Sequence, residues 1–387
     1  MDIKALDQQY VANTYARFPL QIVSGKGSVV EDEAGKQYID LGTGIAVNTF
    51  GVADDAWQQA VTAQMGKLQH MSNLYYTEPC VLLAETLCKR TGMKKVFFSN
   101  SGAEANECAI KVARKYAAEK KGSDCFTIVT LWNSFHGRTL TTLAATGQDN
   151  FHKDFQPLTA GFVHAKANDL ADVQAKVAEN KVAAIMIEIV QGEGGVIALN
   201  KDFVQGVAKL CQEQDILLIC DEVQIGNGRS GKLYGYMHYD VMPDIVSTAK
   251  GLCAGLPLGA TMLGSKVETV LGYGDHGSTF GGNPICCAGA LNVMSRLDDA
   301  MLEGVRQRSD YIFSTLSGKP GIKAVTGLGM MVGIETEKPA SEVIAGCMER
   351  GVLVLSAHGK VRLLPALNIP MDLLQQAVAV ITEVCAQ

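Results

Sequence analysis

No apolar run in this chain reaches the roughly 18 residues that a membrane span requires, so no spanning helix is expected. The eleven cysteines form no C-x-x-C pair, and Cys286 and Cys287 are simply adjacent. Cys108, Cys211 and Cys220 lie in apolar runs, where a reduced thiol behaves as a small hydrophobe. The seven histidines include no H-E-x-x-H or comparable cluster, so the usual signature of a zinc site is missing and no metal is expected. Positive charge is not in excess either. The net charge is −6, the opposite of what a phosphate-backbone binder presents. The opening residues Met1 to Asp7 have neither signal-peptide nor transit-peptide character. There is no repeat, low-complexity tract or long linker. Together these gaps predict a cytoplasmic, reduced, metal-free protein that binds neither nucleic acid nor membrane.

What is present is an ordinary globular balance, 47% hydrophobic and 19% charged. At 387 residues the chain is long for a single core, which favours two lobes. Ser28–Asp32 and Lys36–Asp40 flank a glycine-bearing turn and read as a hairpin. Helical periodicity follows around Trp57–Gln69 and Cys80–Arg90. From Lys95, short apolar runs at Val96–Phe98, Cys125–Thr130, Ala183–Val190, Ile216–Cys220 and Ile245–Thr248 alternate with amphipathic helices. That alternation predicts an α/β fold, a mainly parallel central sheet with helices on both faces. Beyond a helix near Ala288–Leu297 the order becomes helix, strand pair, helix, strand pair, helix. The expected division is residues 1–50 as the N-terminal segment of a smaller α+β domain, 51–289 as the large domain, and 290–387 as the remainder of the small one.

The stretch from Ile216 to Gly251 organises the chemistry. One apolar strand delivers Asp221-Glu222-Val223-Gln224 at its carboxyl end, and a second ends in Lys250-Gly251. Open α/β sheets bind ligands beyond these ends, so the acid and the lysine can face one small molecule. Lysine is the Schiff-base former among side chains, and a carboxylate keeps a pyridine nitrogen protonated; the pair suggests pyridoxal phosphate. Alone, either residue reads as a helix cap or a solvated charge. Two decoys share the stretch. Gly226–Gly231 spells G-x-G-x-x-G, but the glycine- and tyrosine-rich run after it is a poor first helix for a dinucleotide site. Ser247–Lys250 spells S-x-x-K without the S-D-N or K-T-G that accompany it in β-lactamases.

Four further segments sit at matching places. Ser101 and Glu104 have capping-box spacing at the start of a helix, leaving the bare backbone of Gly102 and Ala103 at its positive end. Asn133–Arg138 follows a strand and offers Phe135 for stacking and Arg138 for a carboxylate. Glu188 and Glu193 lie at another strand end, and His276–Pro284 is a polar loop before a helix. Each alone is also a capped helix, an inward-packed loop or a surface charge. In order, N-S-G-A-E-A, S-F-H-G-R-T, E-x-x-Q-G-E-G-G, D-E-V-Q-x-G-x-G-R-x-G, A-K-G-L and H-G-S-T-F-G-G-N-P resemble the class III pyridoxal-phosphate-dependent aminotransferases over essentially the entire chain. Within that class, Thr14–Pro19 is most similar to the acetylornithine aminotransferases. Two departures stand out: Phe50–Asp55 replaces the family's usual His-Pro element, and Ile189 replaces a proline.

The resemblance implies the fold of type I pyridoxal-phosphate enzymes and a homodimer with shared active sites. It implies Lys250 as cofactor attachment point and proton shuttle, with Asp221 on the pyridinium nitrogen. Cofactor contacts would come from Ser101, Gly102, Ala103, Phe135, Glu222, Val223 and Gln224, with Thr279 reaching across from the partner. Tyr15, Arg138, Ser278 and Arg362 would hold substrate. Glu193 would mask Arg362 when a monocarboxylate is bound. The implied reaction converts N2-acetyl-L-ornithine and 2-oxoglutarate to N-acetyl-L-glutamate 5-semialdehyde and L-glutamate, in arginine biosynthesis. Succinylornithine, ornithine δ- and 4-aminobutyrate aminotransferases are the close alternatives. A nicotinamide oxidoreductase reading Gly226–Gly231 and a silent cofactor binder are the more distant ones.

Overall fold

A computed structural model describes residues 2–387. Its centre is a seven-stranded sheet ordered Lys95–Ser99, Gly259–Leu263, Ile245–Thr248, Leu217–Asp221, Val182–Glu188, Thr127–Leu131, Phe162–Ala165. Gly259–Leu263 runs antiparallel to both neighbours, while the pairings from Ile245–Thr248 to Phe162–Ala165 are parallel. The strands Val182–Glu188, Leu217–Asp221 and Ile245–Thr248 are buried at every residue, the continuous apolar run expected of a sheet covered on both faces. Alternation sorts the two faces. Leu217 and Ile219 join one apolar cluster with Cys108, Ile110 and Val112 of helix Gly102–Lys121, whereas Leu218 and Cys220 join the other. Each of the five apolar runs read from the sequence supplies a strand of this sheet, although Ala183–Val190 breaks after Glu188 and Val190–Gln191 pairs separately with Ile197–Ala198; Phe162–Ala165 and Gly259–Leu263 complete it.

The expected hairpin forms, with Val29–Asp32 antiparallel to Gln37–Asp40 and Gly35 at φ +81° in the turn between them. Ile22–Lys26 adds a strand on one side, and Val352–Leu353 pairs in parallel with Gln37–Asp40 on the other. The tail thus shares a sheet with the first fifty residues. A further sheet of Ile322–Leu328, Met331–Thr336, Lys360–Leu363 and Leu355–Ala357 carries Arg362. The Phe50–Asp55 loop, which departs from the family pattern, is ordered by reciprocal Gly27–Val52 backbone hydrogen bonds of 2.7 Å.

Between Asp40 and the sheet's carboxyl edge the chain makes a left-handed turn. Thr43, Gly44, Ile45 and Ala46 have φ of 47°, 65°, 65° and 61°, a conformation costing about 1–2 kcal/mol per non-glycine residue. Asp40 Oδ1 accepts from the amides of Gly42 (2.8 Å) and Thr43 (3.0 Å), and the Thr43 hydroxyl donates to Leu364 O at 2.6 Å. These bonds hold the strained turn and deliver Val47 to the wall of the central cavity.

Candidate active site

The cavity, about 450 Å³, opens at the carboxyl ends of the parallel strands. Its walls bring together Ser101, Gly102, Ala103, Phe135, Arg138, Asp221, Val223, Gln224 and Lys250 from the residues singled out in the sequence. They converge because strand register aligns the ends: Asp221 lies opposite Glu188 on one neighbour and Ser247 on the other.

Lys250 follows the strand Ile245–Thr248 directly and has φ 46°, a conformation few side chains adopt. Three bonds over-determine it. Asn227 Nδ2 donates to Thr248 Oγ1 and to Ala249 O, each at 3.0 Å, and the Thr49 hydroxyl donates to Gly251 O at 2.7 Å. Strain of this kind, fixed by its surroundings, marks functional sites; here it turns the lysine into the cavity. Burial lowers the ammonium pKa below the ordinary lysine value, against the opposing pull of Asp221 and Glu193.

Asp221 is fixed from three sides. Its Oδ2 accepts from Asn106 Nδ2 at 2.7 Å and from His136 Nδ1 at 2.8 Å, and its Oδ1 accepts from Val223 N at 3.0 Å. A carboxylate facing an imidazole nitrogen can only accept, so His136 carries its proton on Nδ1. Beside it, Glu188 is fully buried and accepts from the amide of Phe135 at 3.0 Å. Burial first, and then the neighbouring Asp221, push its carboxyl well above the usual range. Glu188 therefore orients the loop bearing Phe135. None of Asn106, His136 or Glu188 was assigned a role from sequence. The available signals were a lone amide inside an apolar helix and an acid at a strand end.

At the phosphate end Ser101 caps the helix as expected, but the Glu104 carboxylate reaches one residue further back than a capping box would, to Asn100. The Glu104 amide donates to Ser101 Oγ at 3.2 Å, and the Glu104 carboxylate accepts from the Asn100 amide at 2.9 Å. The helix Gly102–Lys121 thus presents its first amides to the cavity. A Cβ on Gly102 would lie 2.6 Å from Val223 Cγ1, so only bare backbone fits there. A helix N-terminus for an anion, two apolar walls, a buried carboxylate and a lysine of lowered pKa match the donor set of pyridoxal phosphate.

Glu193 and Arg362 stand behind Gln224 and meet. Arg362 Nη1 donates to Glu193 Oε1 at 2.5 Å and to Gln224 Oε1 at 3.1 Å. Arg362 is almost wholly buried, and its Nε has no protein partner. Arg138 is exposed and lies at the cavity mouth, with its Cζ 4.1 Å from the centroid of the Phe151 ring.

Other expected contacts lie elsewhere in the single chain. Glu222 faces the interior, where its carboxylate accepts from the amides of Gly235 and Tyr236, each at 2.7 Å. Just past the strand end, its side chain points away from the cavity that Asp221, Val223 and Gln224 line. Burial raises its pKa to about 8. Tyr15 is exposed in the N-terminal segment, with Arg17 Cζ 5.6 Å from its ring centroid. Ser278 and Thr279 line a separate depression with Asn73 and Leu74, although Ser278 Oγ accepts from Asn100 Nδ2 at 3.1 Å. Gly226–Gly231 forms turns rather than opening a helix. There Arg229 donates to Met330 O and Pro365 O, tying the segment to the tail instead of a nucleotide.

Residues 10–385 match the family described as aminotransferase class-III. The chain is 49% identical to the acetylornithine aminotransferase of Haemophilus ducreyi, covering 100% of this chain and 98% of that one. It is 42% identical to the acetylornithine aminotransferase of Aquifex aeolicus, covering 97% and 99%. Among solved structures, the N-acetylornithine aminotransferase of Stenotrophomonas maltophilia superimposes with a TM-score of 0.86 at 32% identity, covering 99% and 98%. The ornithine aminotransferase of Toxoplasma gondii ME49 gives 0.94 at 31%, covering 99% and 94%.

Proposed function

Because the chain belongs to the class-III aminotransferases, we propose that it moves the δ-amino group of N2-acetyl-L-ornithine to 2-oxoglutarate, yielding N-acetyl-L-glutamate 5-semialdehyde and L-glutamate. The cofactor is pyridoxal phosphate. When bound, it supplies an electron-poor ring that stabilises negative charge on the carbon losing its proton. The observation that carries the reading is the convergence of Lys250, Asp221 and Arg138 on one cavity.

The residues divide the work. Lys250 Nζ anchors the cofactor and then, freed, takes a proton from one carbon and returns it to another; its lowered pKa favours the basic amine this requires. Asp221, held by Asn106 and His136, presents a negative charge to the ring nitrogen. The amides of Gly102 and Ala103 would receive the phosphate, and Phe135 and Val223 would close the two ring faces. Gln224, whose Oε1 accepts from Arg362, would face the ring hydroxyl. Arg138 grips the carboxylate remote from the reacting amine, a group both substrates carry.

Arg362 would take the α-carboxylate of glutamate or 2-oxoglutarate, and the Glu193 pair would mask it when acetylornithine, which has no carboxylate there, is bound. Glu193→Ala is therefore expected to shift relative kcat/KM from acetylornithine towards glutamate by about 5- to 150-fold, the range of a coupling of 1–3 kcal/mol. An unchanged ratio in steady-state assays of both half-reactions would reject the switch.

The functional unit we propose is a homodimer. Segments 72–76 and 272–280, which include Ser278 and Thr279, leave Leu74, Tyr75, Tyr76, Tyr273 and Phe280 exposed, large apolar side chains of the kind that subunit contacts cover. Thr279 would complete the phosphate site of the other subunit, and Ser278 and Tyr15 would contribute to substrate binding. The deciding experiment is an absorbance titration of the holoenzyme with N-acetylornithine, succinylornithine, ornithine and 4-aminobutyrate. N-acetylornithine is expected to bleach the cofactor band at the lowest concentration, with 2-oxoglutarate restoring it. Equal bleaching by another amine would refute the acetyl preference.

A further inference from the structure

Phe151 touches both halves of the site and belongs to no motif. Its ring lies under the Arg138 guanidinium, with Cζ 4.1 Å from the centroid, and meets the Phe135 ring edge-on at 6.0 Å and 77°. Arg138 is also 5.6 Å from the Phe135 ring. One aromatic thus joins the wall expected to cover the cofactor to the cation expected to grip the substrate.

The contact is built into the backbone. Phe151 sits on the short helix Asp149–His152, and the segment before it is bound to the loop that carries Phe135 and Arg138. The Gly147 amide donates to Ser134 Oγ at 3.0 Å, Gln148 Nε2 donates to Ser134 O at 2.9 Å, and the His136 amide donates to Thr146 Oγ1 at 2.9 Å. His152 Nε2 donates to Leu143 O at 2.9 Å and fixes the far end. The backbone that carries the ring is therefore tied to the loop that carries Arg138.

An exposed arginine loses side-chain freedom when it clamps a carboxylate, and that loss weakens binding. An aromatic face holds a guanidinium through the ring quadrupole and occupies none of its N–H donors, so the fork stays free for two oxygens. We propose that Phe151 is a positioning residue for the substrate-carboxylate grip, its ring pre-orienting Arg138 against Phe135 so that the carboxylate site and the cofactor wall move as one unit. This rests on the reading of Arg138 given above.

The test compares Phe151→Leu, which keeps apolar bulk but loses the ring, with Phe151→Tyr, which keeps the ring, in the holoenzyme. The readouts are KM and kcat for N-acetylornithine and the dissociation constant of glutarate, an unreactive dicarboxylate, followed by circular dichroism of the bound cofactor. Phe151→Leu is expected to raise KM and the glutarate constant together by roughly two- to thirtyfold, with the loss concentrated in KM rather than kcat. Phe151→Tyr should restore both. If the leucine variant does not yield soluble protein, Phe151→Met serves with the same expectation. Wild-type values in the leucine or methionine variant overturn the proposal. An equal loss when the substitution is made in an Arg138→Gln background also overturns it, because Phe151 would then act through something else. Should Arg138→Gln alone leave KM and glutarate binding unchanged, the carboxylate role of Arg138 itself is wrong, and the proposal falls with it.

Discussion

Lys250→Ala is expected to lower turnover by about 10⁴-fold or more. Positioned proton transfer contributes about 10²–10⁴-fold by itself, and this substitution also removes the covalent anchor. Borohydride treatment followed by mass spectrometry separates the two losses. Wild-type protein gains the mass of the reduced cofactor at Lys250, and the variant gains nothing while still binding the cofactor loosely through the helix Gly102–Lys121 and Asp221. Lys250→Arg is expected to be equally inactive, since a guanidinium does not release its proton. The fold should tolerate the alanine: the backbone at φ 46° is held by Asn227 and Thr49, not by the lysine side chain. Turnover of the alanine variant within tenfold of wild type would show that the lysine is not the proton shuttle.

Asp221→Asn is expected to reduce kcat by about 10- to 1,000-fold, because a contacting carboxylate raises a cation's pKa by roughly 1–3 units. An asparagine of the same shape lacks that charge, and it cannot satisfy the donors already present. Asp221 accepts from Asn106 and His136 on one oxygen and from the Val223 amide on the other. Either amide orientation sets an NH₂ group against a donor, at about 1–3 kcal/mol for an unsatisfied buried group. The ring nitrogen of the bound cofactor should titrate about 1–3 units lower in the variant, measurable by spectroscopic pH titration. An unchanged spectral pKa with full activity would show that Asp221 is structural only.

Much of this site could be read in one dimension, for local reasons. The buried strands are continuous apolar runs, and Ser101 with Glu104 writes a helix start into four residues. A carboxylate at one strand end and a lysine at another point to the ligand side of any open α/β sheet. Two strands of the central sheet escaped. Gly259–Leu263 is glycine-led and short, and becomes a strand because it fills the gap between Lys95–Ser99 and Ile245–Thr248. Phe162–Ala165 is a half-buried edge strand with no continuous apolar run. The resemblance places Glu222 with the cofactor, inside the run Asp221–Gln224. In the turn that follows the strand its side chain instead faces the interior, onto the amides of Gly235 and Tyr236.

The sequence by itself determined the α/β alternation, the helix cap at Ser101, and the family through six motifs in order. Each depends on residues close along the chain or on identity alone. Only the tertiary structure decided that Asn106 and His136 hold Asp221, that Glu188 stands beside it, that Glu193 meets Arg362, and that Phe151 underlies Arg138. Those contacts join residues separated by up to 169 positions. They are set by strand register and by how the tail folds back over the sheet, which no local pattern encodes.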